Sequence, residues 1–260
     1  MISGIEFFDT HCHLNDPQFD QDREEVVKRA RTGGVKHILC IGASKGIQSN
    51  QKALSIAEKD EFIYASIGIH PNDPANFESI EEIEKLAHHP KVVAIGEAGL
   101  DLYWQQDNLS EQIKIFIKQI ALAKKLKKPL IIHSRAAAKE CLDILTRENV
   151  AEVGGVFHCF SEDQVFAERL AEMGFYVSFP GSLTFKKNEL ARKVASAIPI
   201  FQILLETDAP YLAPQSKRGK RCESADLVEI AEILALCKGL TIKEVAQVTT
   251  ENAKKLFKLK

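Results

Sequence analysis

The 260-residue chain lacks any closely spaced pair of cysteines, and this absence limits the redox and metal sites that it can build. Its six cysteines are scattered, which argues against a disulfide framework and against a structural zinc knuckle. Cys12 and Cys159 lie beside candidate metal ligands. Because neighbouring residues of an extended segment point to opposite faces, we expect neither cysteine to bind a metal ion.

The sequence also lacks an apolar run long enough to cross a bilayer, and it begins without a basic region followed by an apolar stretch and a cleavage site. These absences predict a cytoplasmic protein with no membrane partner, and the sequence indicates no protein partner. The formal net charge of −2 gives no electrostatic case for a general nucleic-acid binder. A polyanionic substrate would have to be held locally, by a metal ion or a basic cluster.

What the sequence does contain is a regular alternation of short β-branched runs with longer amphipathic stretches. This alternation predicts an α/β fold with a parallel sheet. The predicted strands are Ile5–Asp9, Val35–Ile41, Phe62–Ile69, Val92–Glu97, Leu130–His133, Gly155–His158, Tyr176–Phe179 and Ile203–Glu206.

Eight strands, each followed by a helix, make a (β/α)8 TIM-like barrel, which we expect to form a single domain over residues 1–260. An open doubly wound sheet is the alternative, although no G-x-G-x-x-G motif follows the first strand. The clearest helical pattern covers Glu111–Lys127. There the spacing of apolar residues predicts an inward stripe of Ile113, Phe116, Ile117, Ile120 and Leu122.

Histidines follow the predicted strands at their C-terminal ends, which form the rim where barrels carry their chemistry. Five of the eight histidines lie at such ends, namely His11, His13, His70, His133 and His158. Side chains two positions apart on an extended segment face the same way, so His11 and His13 can converge on one ion. The remaining three, His37, His88 and His89, we interpret as structural.

Several imidazoles and carboxylates on one rim suit a pair of divalent ions better than a single closed zinc site. Glu97 ends the fourth strand and could bridge the two ions. One ion would then be held by His11, His13 and Asp208, and the other by His133 and His158.

Six motifs occur in a fixed order along nearly the whole chain. They are D-x-H-x-H at Asp9, G-I-H-P at Gly68, G-E-x-G-L-D at Gly96, I-I-H-S-R at Ile131, F-H-C-F at Phe157 and E-T-D-x-P-Y-L-x-P at Glu206. In this combination the sequence resembles the TatD family of metal-dependent deoxyribonucleases in the amidohydrolase superfamily.

The resemblance implies two divalent metal ions per chain, bound by His11, His13, Glu97, His133, His158 and Asp208. Mixed imidazole and carboxylate ligands suit zinc, manganese, iron or, less well, magnesium. It also implies hydrolysis of DNA phosphodiester bonds, with exonuclease action on single strands as one form. In this scheme the two ions activate a hydroxide, and Glu97 and Asp208 act as catalytic residues. The alternative is an amidohydrolase-type enzyme that cleaves a small amide, ester or lactone with the same metal site.

Further residues near the rim are candidates for contact with a DNA substrate or for orienting ligands. The substrate-contact candidates are His70, Arg135, Arg218 and Lys220. Asp101 and Glu206 are candidates for orienting metal ligands. One departure from the family pattern R-G-x-x-N-x-P lies beside the last strand, where Cys222 and Ser224 replace the expected Asn and Pro.

Overall fold

The computed structural model describes residues 4–43, 45–73, 80–104 and 107–259. Its strands form one sheet in the order β1-β2-β3-β4-β5-β6-β7-β8. The strands are β1 (Phe7–Cys12), β2 (Val35–Ile41), β3 (Ile63–Ile67), β4 (Val92–Asp101), β5 (Leu130–Arg135), β6 (Gly155–Phe157), β7 (Phe175–Phe179) and β8 (Ile203–Leu205). The sequential order is that of the (β/α)8 topology predicted from the sequence.

Helices separate the strands along the chain. They are α1 (Arg23–Thr32), α2 (Ile47–Glu58), α3 (Ile80–Ala87), α4 (Leu109–Leu126), α5 (Ala138–Arg147), α6 (Gln164–Glu172), α7 (Glu189–Ala197), α8 (Leu227–Lys238) and α9 (Ile242–Leu256). Among the helices of the described ranges, none is long and apolar enough to cross a membrane.

The chain divides into two compact units, and the prediction of one undivided domain stays a prediction. The first unit comprises Met1–Leu39, Cys159–Glu172 and Tyr176–Lys260. Within it β7 pairs with β8 in parallel, and an isolated parallel bridge joins Cys12 to Ala209, so that the ends of β1 and β8 are neighbours.

Helix α9 closes the first unit against β1 and β8. It begins with a capping box, in which the Thr241 hydroxyl accepts from the Glu244 N–H and the Glu244 carboxylate accepts from the Thr241 N–H. Farther along the helix, the Asn252 amide donates to the carbonyls of Ile200 and Ile203, both at 2.9 Å. These bonds satisfy one carbonyl just before β8 and one at its first residue, and they fix the helix beside the strand.

The second unit comprises Cys40–His158 and Met173–Phe175. Here β4 pairs in parallel with β3 and β5, and β5 pairs with β6. Strand β4 is longer than predicted and continues to Asp101, where it lies opposite Arg135 of β5. This extension places the Asp101 and Arg135 side chains on neighbouring strand ends.

The buried face of α4 differs from the stripe predicted for it. Phe116, Ile120 and Leu122 are buried as expected, but Ile113 and Ile117 are half-buried, and the buried face includes Gln112 and Gln119 instead. The two glutamines are buried because they bond to the main chain. The Gln119 side chain accepts from the N–H of Ile69 at 2.7 Å and donates to the carbonyl of the same residue at 2.9 Å. Gln112 makes the equivalent pair of bonds to Asp101.

Candidate metal centre

The first unit brings together three of the predicted metal ligands, His11, His13 and Asp208. The Asp208 N–H donates to the His11 carbonyl at 2.8 Å, and the His13 N–H donates to the Ala209 carbonyl at 2.7 Å. These bonds hold the end of β1 against the segment that follows β8. We call His11, His13 and Asp208 the first donor cluster.

The donor atoms of this cluster form a triangle of nearly equal sides. The two Nε2 atoms lie 3.3 Å apart. Oδ1 of Asp208 lies 3.6 Å from Nε2 of His11 and 3.4 Å from Nε2 of His13. Ligands held tetrahedrally at about 2.0–2.2 Å from one ion are separated from each other by about 3.4 Å. The spacing and the chemistry of the donors therefore fit a divalent ion.

Asp9 lies behind the first donor cluster and supports it. Its carboxylate is fully buried and accepts from the Thr207 N–H at 2.9 Å and from the Thr207 hydroxyl at 2.7 Å. Burial raises the pKa of Asp9 to about 7, although hydrogen bonds from Ser224 and Thr207 act in the opposite direction. Asp9 thus fixes the backbone immediately before Asp208.

The two residues that depart from the family pattern lie in this same supporting layer. Cys222 and Ser224 are fully buried. The Cys222 sulfur lies 3.8 Å from the Thr207 carbonyl, and the Ser224 hydroxyl lies 3.5 Å from the sulfur of Cys12. Both residues pack behind the first donor cluster.

Glu206 is also a buried residue of the first unit, and its carboxylate joins separate segments of that unit. Its carboxylate accepts from the Cys159 N–H at 2.6 Å and from the Ser178 hydroxyl at 2.5 Å. It therefore links the ends of β7 and β8 to the segment that begins at Cys159.

The second unit brings together Glu97, His133 and His158, which we call the second donor cluster. Oε1 of Glu97 lies 2.9 Å from Nδ1 of His133 and 2.8 Å from Nε2 of His158. The same two imidazole nitrogens are 3.4 Å apart. This compact set again combines imidazole and carboxylate donors, the combination that zinc and manganese sites use.

His70 lies next to the second donor cluster. Its Nε2 is 3.5 Å from Oε1 of Glu97, and its Nδ1 accepts from the N–H of Asn72 at 3.0 Å. The sequence predicted His70 as a substrate contact, and the structure places it among donors that could hold a metal ion.

Asp101 orients His133 from the side opposite Glu97. Its Oδ2 lies 3.1 Å from Nε2 of His133 and accepts from the amide of Asn72 at 2.9 Å. Burial acts to raise the pKa of Asp101, but hydrogen bonds from His133, the Trp104 N–H and Asn72 outweigh it and hold the pKa below its usual range. A carboxylate that accepts a hydrogen bond from one ring nitrogen of a metal-binding histidine fixes the orientation of the ring. It also increases the basicity of the other ring nitrogen, which binds the metal ion.

The basic segment Lys217–Arg221, which contains the candidates Arg218 and Lys220, forms several ion pairs within its own unit. Lys217 forms a salt bridge with Asp226, and Arg221 pairs with Asp22 and Glu223. The two substrate-contact candidates of this segment, Arg218 and Lys220, are both exposed, and the Arg218 guanidinium lies 4.6 Å from the centre of the Phe185 ring. Only part of the segment is thus available for an anionic ligand.

Sequence reasoning missed two exposed aromatic residues in the second unit, Tyr103 and Trp104. They are 58% and 64% exposed and lie two and three residues after Asp101, the last residue of β4. Arg135, a predicted substrate contact, lies over both rings, with its guanidinium carbon 4.4 Å and 5.4 Å from their centres. The sequence signal that could have found them is the pair of aromatics two and three residues after Asp101.

Comparison with known proteins gives matches along almost the whole chain. The profile of the family described as TatD related DNase matches residues 8–258. A protein of Bacillus subtilis named uncharacterized metal-dependent hydrolase YabD is 42% identical, with 97% of this chain and 99% of that protein covered. A Rahnella protein named 3'-5' ssDNA/RNA exonuclease TatD is 35% identical, with 97% and 98% covered.

A solved structure agrees with these relatives. The crystal structure of YJJV, a TatD homologue from Escherichia coli K12, matches with a TM-score of 0.90 and 29% identity, covering 98% of each chain. These matches confirm the family resemblance that the six motifs indicated, and they confirm the (β/α)8 fold class.

Proposed function

This chain belongs to the TatD related DNase family of metal-dependent hydrolases, and from that premise we propose that it hydrolyses phosphodiester bonds of single-stranded DNA. The name of the Rahnella relative, an exonuclease of single-stranded DNA and RNA, supports this choice of substrate over a small amide, ester or lactone.

The observation that carries the proposal is that each unit of the chain holds its own triangle of imidazole and carboxylate donors. His11, His13 and Asp208 would hold one divalent ion, and His133 and His158 with Glu97 would hold a second. The bridging role predicted for Glu97, the number of ions and their identity as zinc, manganese or magnesium are part of this proposal.

Divalent ions bound at such sites polarise a phosphoryl oxygen and lower the pKa of water, so that a nucleophile is available near neutral pH. The chain itself would supply the remaining functions. A carboxylate oxygen of Asp208 accepts the proton of the attacking water. Asp101 holds the His133 ring at Nε2, so that Nδ1 faces Glu97. Arg218 and Lys220 provide positive charge for the phosphate backbone.

The experiment measures metal content and hydrolysis together. Wild-type protein is stripped, reloaded with a single metal and analysed by mass spectrometry, and hydrolysis is followed on labelled single-stranded DNA and RNA. We expect two ions per chain in the wild type. Because each donor cluster would hold its own ion, His11→Ala and His133→Ala should each lose about one ion and most of the activity.

His88→Ala is the matched control, because His88 is an exposed histidine that faces Glu84 and belongs to neither cluster. It should retain both ions and full activity. Retention of two ions in His11→Ala would contradict the first cluster as a metal site. Turnover of small amides or lactones without cleavage of any oligonucleotide would establish the alternative hydrolase instead. Loss of activity in Glu97→Ala with the fold intact would support its catalytic role.

A further inference from the structure

Tyr103 and Trp104 form an exposed aromatic pair beside the second donor cluster. Their ring centres are 4.8 Å apart, and the ring planes are perpendicular. Each side chain is more than half exposed. Large aromatic side chains usually lose most of their surface on folding, so two adjacent exposed rings indicate a surface that a ligand covers.

Arg135 completes this surface by placing a positive charge over both rings. Its guanidinium carbon lies 4.4 Å from the centre of the Tyr103 ring and 5.4 Å from that of Trp104. A guanidinium stacked on aromatic faces keeps its edge donors available, and these donors match the oxygens of a phosphate. The surface therefore offers π-faces for a planar group and a cation for an anionic one.

The aromatic pair is fixed in position relative to the second donor cluster by Asp101. Oδ1 of Asp101 accepts the N–H groups of Tyr103 and Trp104, both at 2.9 Å, while Oδ2 contacts Nε2 of His133 at 3.1 Å. One carboxylate thus orients a predicted metal ligand and anchors the backbone that carries the rings. The Leu102 N–H adds a 2.9 Å bond to the Arg135 carbonyl.

We infer that Tyr103, Trp104 and Arg135 form a stacking platform for an unpaired nucleobase, with Arg135 contacting the adjacent phosphate. This inference rests on the proposed function and adds to it the reason for preferring single strands. In a duplex both faces of each base are covered by its neighbours, whereas an unpaired base can stack on protein aromatics. Stacking tolerates every base, so we expect little sequence preference.

A fluorescence experiment tests the platform without any hydrolysis. Trp104 is the only tryptophan of the sequence, so the intrinsic tryptophan emission reports on this site alone. The full-length chain is kept in chelator and titrated with an oligothymidylate, or with an oligonucleotide of the same length made of abasic sugar phosphates. We expect saturable quenching by the first and no quenching by the second at equal concentration. Equal quenching by both, or by neither, would overturn the inference.

Kinetics of variants test whether the platform acts on substrate. One stacked base corresponds to about a 5- to 150-fold change in affinity. Trp104→Ala and Tyr103→Ala should therefore raise KM for single-stranded DNA within that range, with kcat changed less. Trp104→Phe keeps a π-face and should restore most of the affinity. Phe201→Ala is the control, because Phe201 is an equally exposed aromatic, at 68%, of the first unit.

The two proposals fail in different ways. If the wild type cleaves no oligonucleotide with any divalent metal, the proposed nuclease function is wrong. If the wild type cleaves single-stranded DNA and Trp104→Ala does so with an unchanged KM, the stacking platform alone is wrong. An increase in KM that is the same for base-bearing and abasic substrates would also contradict stacking.

Discussion

Gly99 of β4 pairs with His133 of β5, and replacing it with alanine tests whether this close contact positions the second donor cluster. Gly99 has a φ of +147° and pairs with His133, and a Cβ added there would lie 1.9 Å from the His133 carbonyl oxygen. Ordinary van der Waals contact begins at 3.4 Å, so the two strands must separate by about 1.5 Å to admit the methyl group.

The expected cost follows from two contributions. Overpacking of a close contact costs about 1–3 kcal/mol, and a non-glycine residue at this φ adds about 1–3 kcal/mol. Gly99→Ala should therefore lower the free energy of unfolding by about 2–6 kcal/mol. Because the displaced residue is His133, the variant should also lose the ion assigned to the second donor cluster.

The assay is urea unfolding followed by circular dichroism, with metal content measured on the same samples. Gly239→Ala is the control, because Gly239 also has a positive φ, of +64°, but a Cβ there would meet nothing within 4 Å. Gly239→Ala introduces backbone strain without a steric clash. It should lower the free energy of unfolding by about 1–2 kcal/mol, and the variant should retain both ions. A Gly99→Ala variant as stable as Gly239→Ala, with full metal content, would refute the reasoning.

Three other outcomes are expected. Removal of divalent ions by a chelator should abolish hydrolysis and lower the Tm measured by calorimetry. Ions present at 100 times their Kd stabilise the folded state by about 2.7 kcal/mol, so an unchanged Tm would contradict metal binding to the folded chain. Gln119→Leu should lower the free energy of unfolding in urea by about 2–6 kcal/mol, because both main-chain groups of Ile69 lose a buried hydrogen-bond partner. The control Gln247→Leu, which replaces an exposed glutamine, should lower it little. Thr241→Ala should lower the free energy of unfolding by about 1 kcal/mol, because α9 loses its N-cap, whereas Thr241→Ser should be as stable as the wild type. Equal stability of the Ala and Ser variants would contradict the capping role.

The sequence predicted most of the elements because strand and helix periodicity are local properties. It also predicted where the donors lie, since polar residues at the ends of buried runs reach the C-terminal edge of a parallel sheet. The H-x-H motif shows this directly: His11 and His13 face the same way on one extended segment and meet Asp208.

The buried face of α4 was harder to predict for a physical reason. Hydrophobicity alone favours Ile113 and Ile117 as core residues and excludes Gln112 and Gln119. The glutamines are buried because each bonds to main-chain groups that would otherwise lack partners, at Asp101 and Ile69. The partner of Gln119 is 50 residues away in sequence, so no local pattern reports it.

The charge that the basic segment offers to a ligand also depends on contacts that are distant in sequence. Read along the chain, Lys217–Arg221 is a single run of positive charge. In the folded chain Arg221 lies beside Asp22, 199 residues earlier, and Lys217 beside Asp226. Charges committed to carboxylates attract a phosphate less than their number suggests.

By itself the sequence determined the alternation of strands and helices, the family and the residue types that can bind a metal ion, because these depend on composition, spacing and order along the chain. The tertiary structure decided which donors share a cluster, that Asp101 serves both His133 and the Tyr103–Trp104 pair, and which basic residues remain exposed. Those properties depend on distances between side chains far apart in sequence, which are fixed only when the strands pair in register.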